Sequence, residues 1–130
     1  MGGTAGTEAG RPCRILIVDD QPTLGKAIRR MLAEYDVAVV CSAREALARL
    51  EGGERYDVIL SDLMMPEISG MELHARIARI APEQVNSMVF MIGGAFTDQA
   101  RAFFEQVQNP TIEKPFDRAA LIAVIEPLIR

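Results

Sequence analysis

The sequence predicts a single α/β domain built around a parallel β-sheet. Short apolar runs alternate along the chain with segments whose apolar residues recur at helical spacing, which is typical of βαβ units. The runs are apolar at every position rather than at every second one, as in strands covered by helices on both faces. The chain has 130 residues, of which 49% are hydrophobic, so it can bury the core of one domain.

Five apolar runs are the predicted strands. They lie at residues 15–18, 37–40, 58–60 and 88–92, with a weaker run at 111–113. Pro22 suits the first turn of a helix, and Ser42, Thr97 and Asp117 suit helix N-caps. The repeat predicts a flavodoxin-like, doubly wound five-stranded parallel sheet with strand order 2-1-3-4-5 and helices on both faces. Such sheets bind ligands at the carboxyl ends of the strands, near the switch between strands 1 and 3.

Composition argues against several classes of partner. The net charge is −4 and Lys and Arg form no run, so we expect no nucleic acid contact by this domain. No stretch approaches the roughly 18 apolar residues of a membrane span, and the N-terminus lacks a signal-peptide pattern. We therefore expect a cytoplasmic domain without membrane contact, in which Cys13 and Cys41 are unbridged, buried thiols. Residues 1–12 are predicted to be a flexible N-terminal lead-in or linker, and residues 13–130 the domain.

Acidic residues stand where predicted strands end. Asp19 and Asp20 follow the first strand, Asp62 ends the third, and Lys114 follows the fifth. We expect these side chains to converge, because the carboxyl ends of parallel strands meet at one edge of the sheet. Three convergent carboxylates repel one another unless a cation intervenes, and Mg²⁺ is the divalent cation that best suits oxygen ligands in cytosol. An Asp beside Mg²⁺ and a Lys can act as a nucleophile in phosphoryl transfer and form an acyl phosphate.

Taken together, these motifs resemble the response-regulator receiver domain of two-component signalling. The matching segments read ILIVDD at residues 15–20, DLMMPEISG at 62–70 and EKPF at 113–116. The resemblance implies a phosphoacceptor signalling domain that catalyses only its own phosphoryl transfer and hydrolysis. Its partners would be a histidine kinase or its phosphotransfer domain and a downstream output protein or domain. Pro66 and Gly70 would shape the loop after the acceptor.

The resemblance also implies a role for each residue of the acidic site. Asp62 would accept the phosphoryl group from a phosphohistidine of the kinase. Asp20 would ligate Mg²⁺ directly and Asp19 mainly through water, and the backbone carbonyl of Met64 would be a further ligand. Lys114 would pair with the phosphoryl group.

Two positions depart from the pattern of the family. Receivers carry Thr or Ser at the end of strand 4, where this chain has Ile92, and an aromatic residue three positions before the Lys, where it has Thr111. Ile forfeits a charge-assisted hydrogen bond to the phosphoryl group, worth roughly 1.5–3 kcal/mol. We expect Thr97, the nearest hydroxyl downstream, to lie too far along the chain to replace it. Two interpretations stay open: output without the usual hydroxyl–aromatic coupling, or ordinary core and edge residues at both positions.

Other functions compete with this interpretation. A pseudo-receiver would keep the fold and act as a phosphorylation-independent protein-interaction module. The segment GGAFT at residues 93–97 resembles receivers fused to hybrid sensor kinases, which leaves open a stand-alone protein or a module of a larger one. A flavodoxin would need a hydroxyl-rich phosphate loop where DDQP stands at residues 19–22, and a haloacid-dehalogenase-type phosphatase needs two Asp separated by one residue. His74 is the only His and is expected to pack or to lie at the surface rather than to relay phosphate.

Overall fold

The computed structural model describes residues 13–94 and 97–129, within which five strands and five α-helices alternate. The strands are β1 (Arg14–Val18), β2 (Asp36–Val40), β3 (Val58–Asp62), β4 (Met88–Ile92) and β5 (Thr111–Glu113). The helices are α1 (Pro22–Met31), α2 (Ala43–Glu51), α3 (Gly70–Ile80), α4 (Asp98–Gln106) and α5 (Arg118–Ile129), and a 3₁₀ helix (Pro82–Ser87) precedes β4. None of these helices has the length and apolarity that crossing a membrane requires. The predicted lead-in at residues 1–12 and positions 95 and 96 lie outside the described residues.

The sheet confirms the predicted topology. Its strands are all parallel and follow the order β2-β1-β3-β4-β5. In β1, Ile15 pairs with Val37 of β2 on one side and with Val58 of β3 on the other. The carboxyl ends of β1 and β3 are therefore neighbours at one edge of the sheet, where the predicted site lies.

Two apolar layers cover the faces of the sheet, because successive side chains of each strand point to opposite sides. On one face, buried residues of β1, β3 and β4 pack against α2, α3 and α4; examples are Leu16, Val18, Ile59, Phe90, Leu50, Leu73 and Ile77. On the other face they pack against α1 and α5; examples are Ile15, Ile17, Leu60, Val89, Ile28, Leu121 and Ile125. Burial on both faces explains why the runs are continuously apolar.

Helix starts lie where the sequence predicts them. Pro22 occupies the first turn of α1. The side chains of Ser42, Thr97 and Asp117 accept backbone N–H groups at the starts of α2, α4 and α5. Each cap satisfies a donor that the first turn of a helix leaves without an intrahelical partner.

The prediction for the cysteines is half wrong. Neither cysteine is in a disulfide and Cys13 is buried, as expected, but Cys41 is exposed. Cys41 directly follows β2, which is an edge strand with β1 as its one neighbour. An edge strand has less cover than a central one, so an apolar run there does not ensure that the residue after it is buried.

Candidate functional site

Lys114 contacts residues at the ends of three other strands. It directly follows β5, and its backbone N–H donates to the carbonyl of Ile92 at 2.7 Å, which holds it beside the end of β4. Its Nζ lies 3.3 Å from Oδ1 of Asp62 and 3.5 Å from Oδ2 of Asp19. The side chain therefore spans β4 to reach carboxylates at the ends of β3 and β1, as the sequence predicts.

The three predicted acids converge. One carboxylate oxygen from each of Asp19, Asp20 and Asp62 lies within 4.8 Å of the other two. Asp19 is fully buried, Asp62 is 8% exposed and Asp20 is exposed. Carboxylates at this spacing, two of them buried, need compensating positive charge. Lys114 supplies one positive charge against three negative ones.

The hydrogen bonds of Asp19 provide a test of whether a cation fits. Its Oδ1 accepts the backbone N–H of Gln21 at 2.8 Å. Its buried Oδ2 has no hydrogen-bond partner within the described part of the chain and has only the ion pair with Lys114 at 3.5 Å. A buried oxygen left without a hydrogen bond, together with an all-oxygen donor set, suits a hard divalent cation such as Mg²⁺.

Burial raises the pKa of the Asp62 carboxyl above its ordinary value. The Lys114 ammonium opposes this shift, and the neighbouring Asp19 charge reinforces it. A nucleophile must be ionised, so a second positive charge in this pocket would favour the reactive carboxylate form of Asp62.

The loop after β3 has a strained, specific backbone. Glu67 has a φ of 65°, a left-handed conformation that non-glycine residues seldom adopt. The N–H of Ile68 donates to the carbonyl of Pro66 at 2.8 Å, and the guanidinium of Arg44 pairs with Glu67 at 3.2 Å. Pro66 is thus part of a tight turn beside the site, in line with the role that the resemblance implies.

A cavity of about 350 Å³ opens beside the acidic cluster. Its lining combines polar groups with hydrocarbon and comprises Gln21, Asp62, Leu63, Met64, Met91, Ile92, Gly93, Thr97, Ala100 and Lys114. Met64 is 54% exposed at its rim. The cavity is large enough for a phosphoryl group, and Asp62 and Lys114 are both in its wall.

The two atypical positions differ in their surroundings. Ile92 is half-buried, ends β4 and lines the cavity, so hydrocarbon stands where receivers carry a hydroxyl. Thr111 begins β5 opposite Phe90 and is exposed. Ile92 therefore affects the cavity directly, whereas Thr111 does not line it.

Thr97 corrects the sequence-based expectation. We expected it to lie too far along the chain, but it lines the same cavity as Asp62 and Lys114. Its Oγ1 caps α4 by accepting the N–H of Ala100 at 3.0 Å. Distance along the sequence from the end of β4 was misleading, because α4 begins at the wall of the cavity.

An aromatic cluster joins α3, α4 and β4. The ring of Phe103 in α4 meets Phe90 of β4 and His74 of α3 edge-on, with centroids 5.4 and 5.3 Å away. Phe104 lies 5.0 Å from Phe103. The predicted packing role for His74 agrees with this position, and Phe103 and Phe104 both pack against the core layer on this face of the sheet.

The sequence model of the response regulator receiver domain matches residues 15–126. The chain belongs to the response regulator receiver domain family. The resemblance drawn from the three segments is thereby confirmed, as is the signalling role of the domain in two-component systems.

Curated relatives of this receiver domain are mostly longer proteins. The chain is 35% identical to the transcriptional regulatory protein TcrA of Mycobacterium tuberculosis over 97% of its own length and 52% of that protein. It is 33% identical to the transcriptional regulatory protein GlrR of Escherichia coli, over 89% of the chain and 26% of that protein. The chain thus spans about half or less of these two relatives.

Solved structures agree on the fold. A receiver domain protein from Clostridium thermocellum is 26% identical, with a TM-score of 0.79 over 90% of this chain and 94% of that one. The receiver domain of a sensor histidine kinase from Pseudomonas aeruginosa is 26% identical, with a TM-score of 0.78 over 92% of this chain and 98% of that one. That structure holds a magnesium ion in its active-site cleft.

Proposed function

We propose that this receiver domain accepts a phosphoryl group on Asp62 from a histidine kinase or its phosphotransfer domain. The single observation that carries the proposal is the position of Lys114, whose Nζ lies 3.3 Å from Oδ1 of Asp62 in the wall of the cavity. An ammonium there can neutralise charge on a phosphoryl group that forms a bond to this carboxylate.

The transfer exchanges one bond for another. An oxygen of Asp62 attacks the phosphorus of a phosphohistidine, and the P–N bond breaks as the new P–O bond forms. The imidazole leaves with the electron pair of the broken bond and takes up a proton. Attack of water on the acyl phosphate releases inorganic phosphate and restores the carboxylate, so the domain catalyses only its own phosphorylation and dephosphorylation.

Mg²⁺ is the proposed cofactor. Its ligands would be Asp19, Asp20, Asp62 and the backbone carbonyl of Met64, with Asp20 binding directly and Asp19 mainly through water. The cation would neutralise negative charge on the transferring oxygens. The orphaned Oδ2 of Asp19 and the 4.8 Å convergence of the carboxylates support this assignment.

The wider setting is also proposed. The domain would act in the cytoplasm and would transmit its state to a downstream output protein or domain. Its net charge of −4 favours an output that acts through protein contact rather than nucleic acid contact by this domain. Residues 13–130 would form the receiver domain and residues 1–12 a linker.

A small phosphodonor tests the proposal. Incubation with acetyl phosphate and Mg²⁺ should add one phosphoryl mass that hydroxylamine removes, as expected for an acyl phosphate. Asp62→Asn should abolish the adduct, whereas Asp36→Asn, an exposed acid that begins β2, should keep it. An undiminished adduct in Asp62→Asn, or none on the wild type, would exclude Asp62 as the acceptor.

A pseudo-receiver is the second candidate, because Ile92 places hydrocarbon in the cavity wall. In that case the domain would bind partners without phosphorylation. Titration with Mg²⁺ and beryllofluoride, a phosphoryl mimic, would then leave the amide NMR signals of α4, β5 and α5 unchanged. Shifts in these signals would favour the phosphoacceptor.

A further inference from the structure

Thr97 brings a hydroxyl to the cavity from the start of α4. It lines the same cavity as Asp62 and Lys114. Its Oγ1 is held by the N–H of Ala100 at 3.0 Å, and Ala100 also lines the cavity. The oxygen is therefore fixed in position by the helix it caps.

The hydrogen-bonding capacity of this hydroxyl is only half used. A threonine oxygen can accept and donate at the same time. The bond from Ala100 uses an acceptor site, and within the described part of the chain the O–H of Thr97 donates to no partner. Thr97 can thus donate into the cavity without losing its role as a cap.

No other hydroxyl side chain lines the described part of the cavity. Ile92, at the end of β4, has no polar atom in its side chain, and Gln21, which like Thr97 is exposed, carries an amide instead of a hydroxyl. The start of α4 also carries the positive end of its helix dipole, which favours an anion nearby. Asp98 in the first turn offsets part of this effect, although its side chain is exposed.

We propose that the Thr97 hydroxyl donates a hydrogen bond to the phosphoryl group on Asp62, in place of a hydroxyl at position 92. This inference rests on the proposed function of Asp62. It makes the start of α4, rather than the end of β4, the element that detects phosphorylation. Phe103 of α4 contacts Phe90 and His74, so a small movement of α4 would repack the aromatic cluster between β4 and α3.

Beryllofluoride binding in the presence of Mg²⁺ tests the role of the hydroxyl. Thr97→Val keeps the shape of the side chain but removes the donor, and it should weaken binding at least tenfold, which is about 1.4 kcal/mol. Thr97→Ser should bind as the wild type does. The amide signal of Ala100 should shift on binding in the wild type and in Thr97→Ser, and much less in Thr97→Val.

Two further variants separate the hydrogen bond from the loss of a cap. Ser42→Ala removes an equivalent cap from α2, where Oγ accepts the N–H of Glu45 at 3.2 Å, and should leave binding unchanged. The double variant Thr97→Val with Ile92→Thr should recover affinity, because it restores a donor in the cavity wall.

The outcomes separate this inference from the function on which it rests. Wild-type affinity in Thr97→Val overturns the role of Thr97 while leaving Asp62 as the acceptor. If neither Thr97→Ser nor the double variant binds beryllofluoride tightly, the loss of binding in Thr97→Val results from damaged structure. That result would also overturn the role of Thr97. A wild type that takes neither acetyl phosphate nor beryllofluoride overturns the proposed function itself.

Discussion

Gly70 lies directly against the backbone of Asp62. A Cβ placed on Gly70 would be 2.5 Å from the carbonyl oxygen of Asp62 and 3.0 Å from Cα of Leu63. The N–H of Gly70 also donates to the carbonyl of Leu63 at 2.8 Å. The first turn of α3 therefore packs on the end of β3 with no room for a side chain, and this contact helps to position the acceptor.

Gly70→Ala should therefore disturb both stability and the site. Overpacking of this kind costs roughly 1–3 kcal/mol in the free energy of unfolding, which urea unfolding measures. Gly52→Ala is the matched control, because the nearest atom to a Cβ there is 3.4 Å away. We expect that control to change stability by less than about 0.5 kcal/mol. Equal stability of the two variants would contradict the packing argument.

Mg²⁺ should stabilise the folded domain. The convergent carboxylates exist only in the native state, so the cation binds that state and raises Tm as its concentration exceeds Kd; at 100 Kd the gain is about 2.7 kcal/mol. Asp20→Asn removes one ligand and should lose most of the rise, whereas the distant Asp36→Asn should keep it. Thermal unfolding with and without EDTA measures this, and an equal rise in Asp20→Asn would argue against the proposed ligand set.

Ile92→Thr should move stability and anion binding in opposite directions. Ile92 packs against the core layer beneath α4, so the smaller, polar side chain should lower the free energy of unfolding by about 1 kcal/mol. The new hydroxyl lines the cavity and should tighten beryllofluoride binding. Ile92→Val shortens the side chain without adding a donor and serves as the control; tighter binding in that variant would rule out a hydrogen-bond effect. Dimerisation on phosphorylation, compared between the wild type and Ile92→Thr, would show whether the output also changes.

His74 should make stability fall in mild acid. Burial lowers the pKa of its imidazole below the ordinary 6.5, with an opposing effect from Asn109, and its Nε2 is buried without a hydrogen-bond partner in the described part of the chain. Below pH 6.5 the unfolded chain binds a proton that the folded chain resists. The contribution of His74 to stability is therefore complete above pH 6.5 and decreases as the pH falls toward the lower pKa of the folded state.

The matched variant for this effect is His74→Leu, which keeps an apolar contact and cannot titrate. Urea unfolding at about pH 7.5 and about pH 5 should show a smaller loss of stability in His74→Leu than in the wild type. The carboxylates of the two proteins titrate alike, so the difference between the two losses is the contribution of the imidazole. Identical losses would mean that the imidazole does not contribute.

The sequence alone predicted the topology and the acidic cluster. Continuous apolar runs indicate buried parallel strands, and the carboxyl ends of such strands share one edge of the sheet. Asp19 follows β1, Asp62 ends the neighbouring β3, and Lys114 follows β5 at the same edge of the sheet. Their convergence therefore follows from strand order without knowledge of side-chain packing. The roles of these residues in catalysis stay predictions.

Tertiary structure decided which other groups reach that edge. Thr97 lines the cavity because α4 begins beside it, and His74 meets Phe103 because α3 and α4 pack on the same face of the sheet. Cys41 is exposed because β2 lies at the edge of the sheet. The hydrophobic period of a segment predicts whether it forms a helix or a strand. The placement of that helix or strand depends on contacts with residues far away in the sequence, which a short segment does not include.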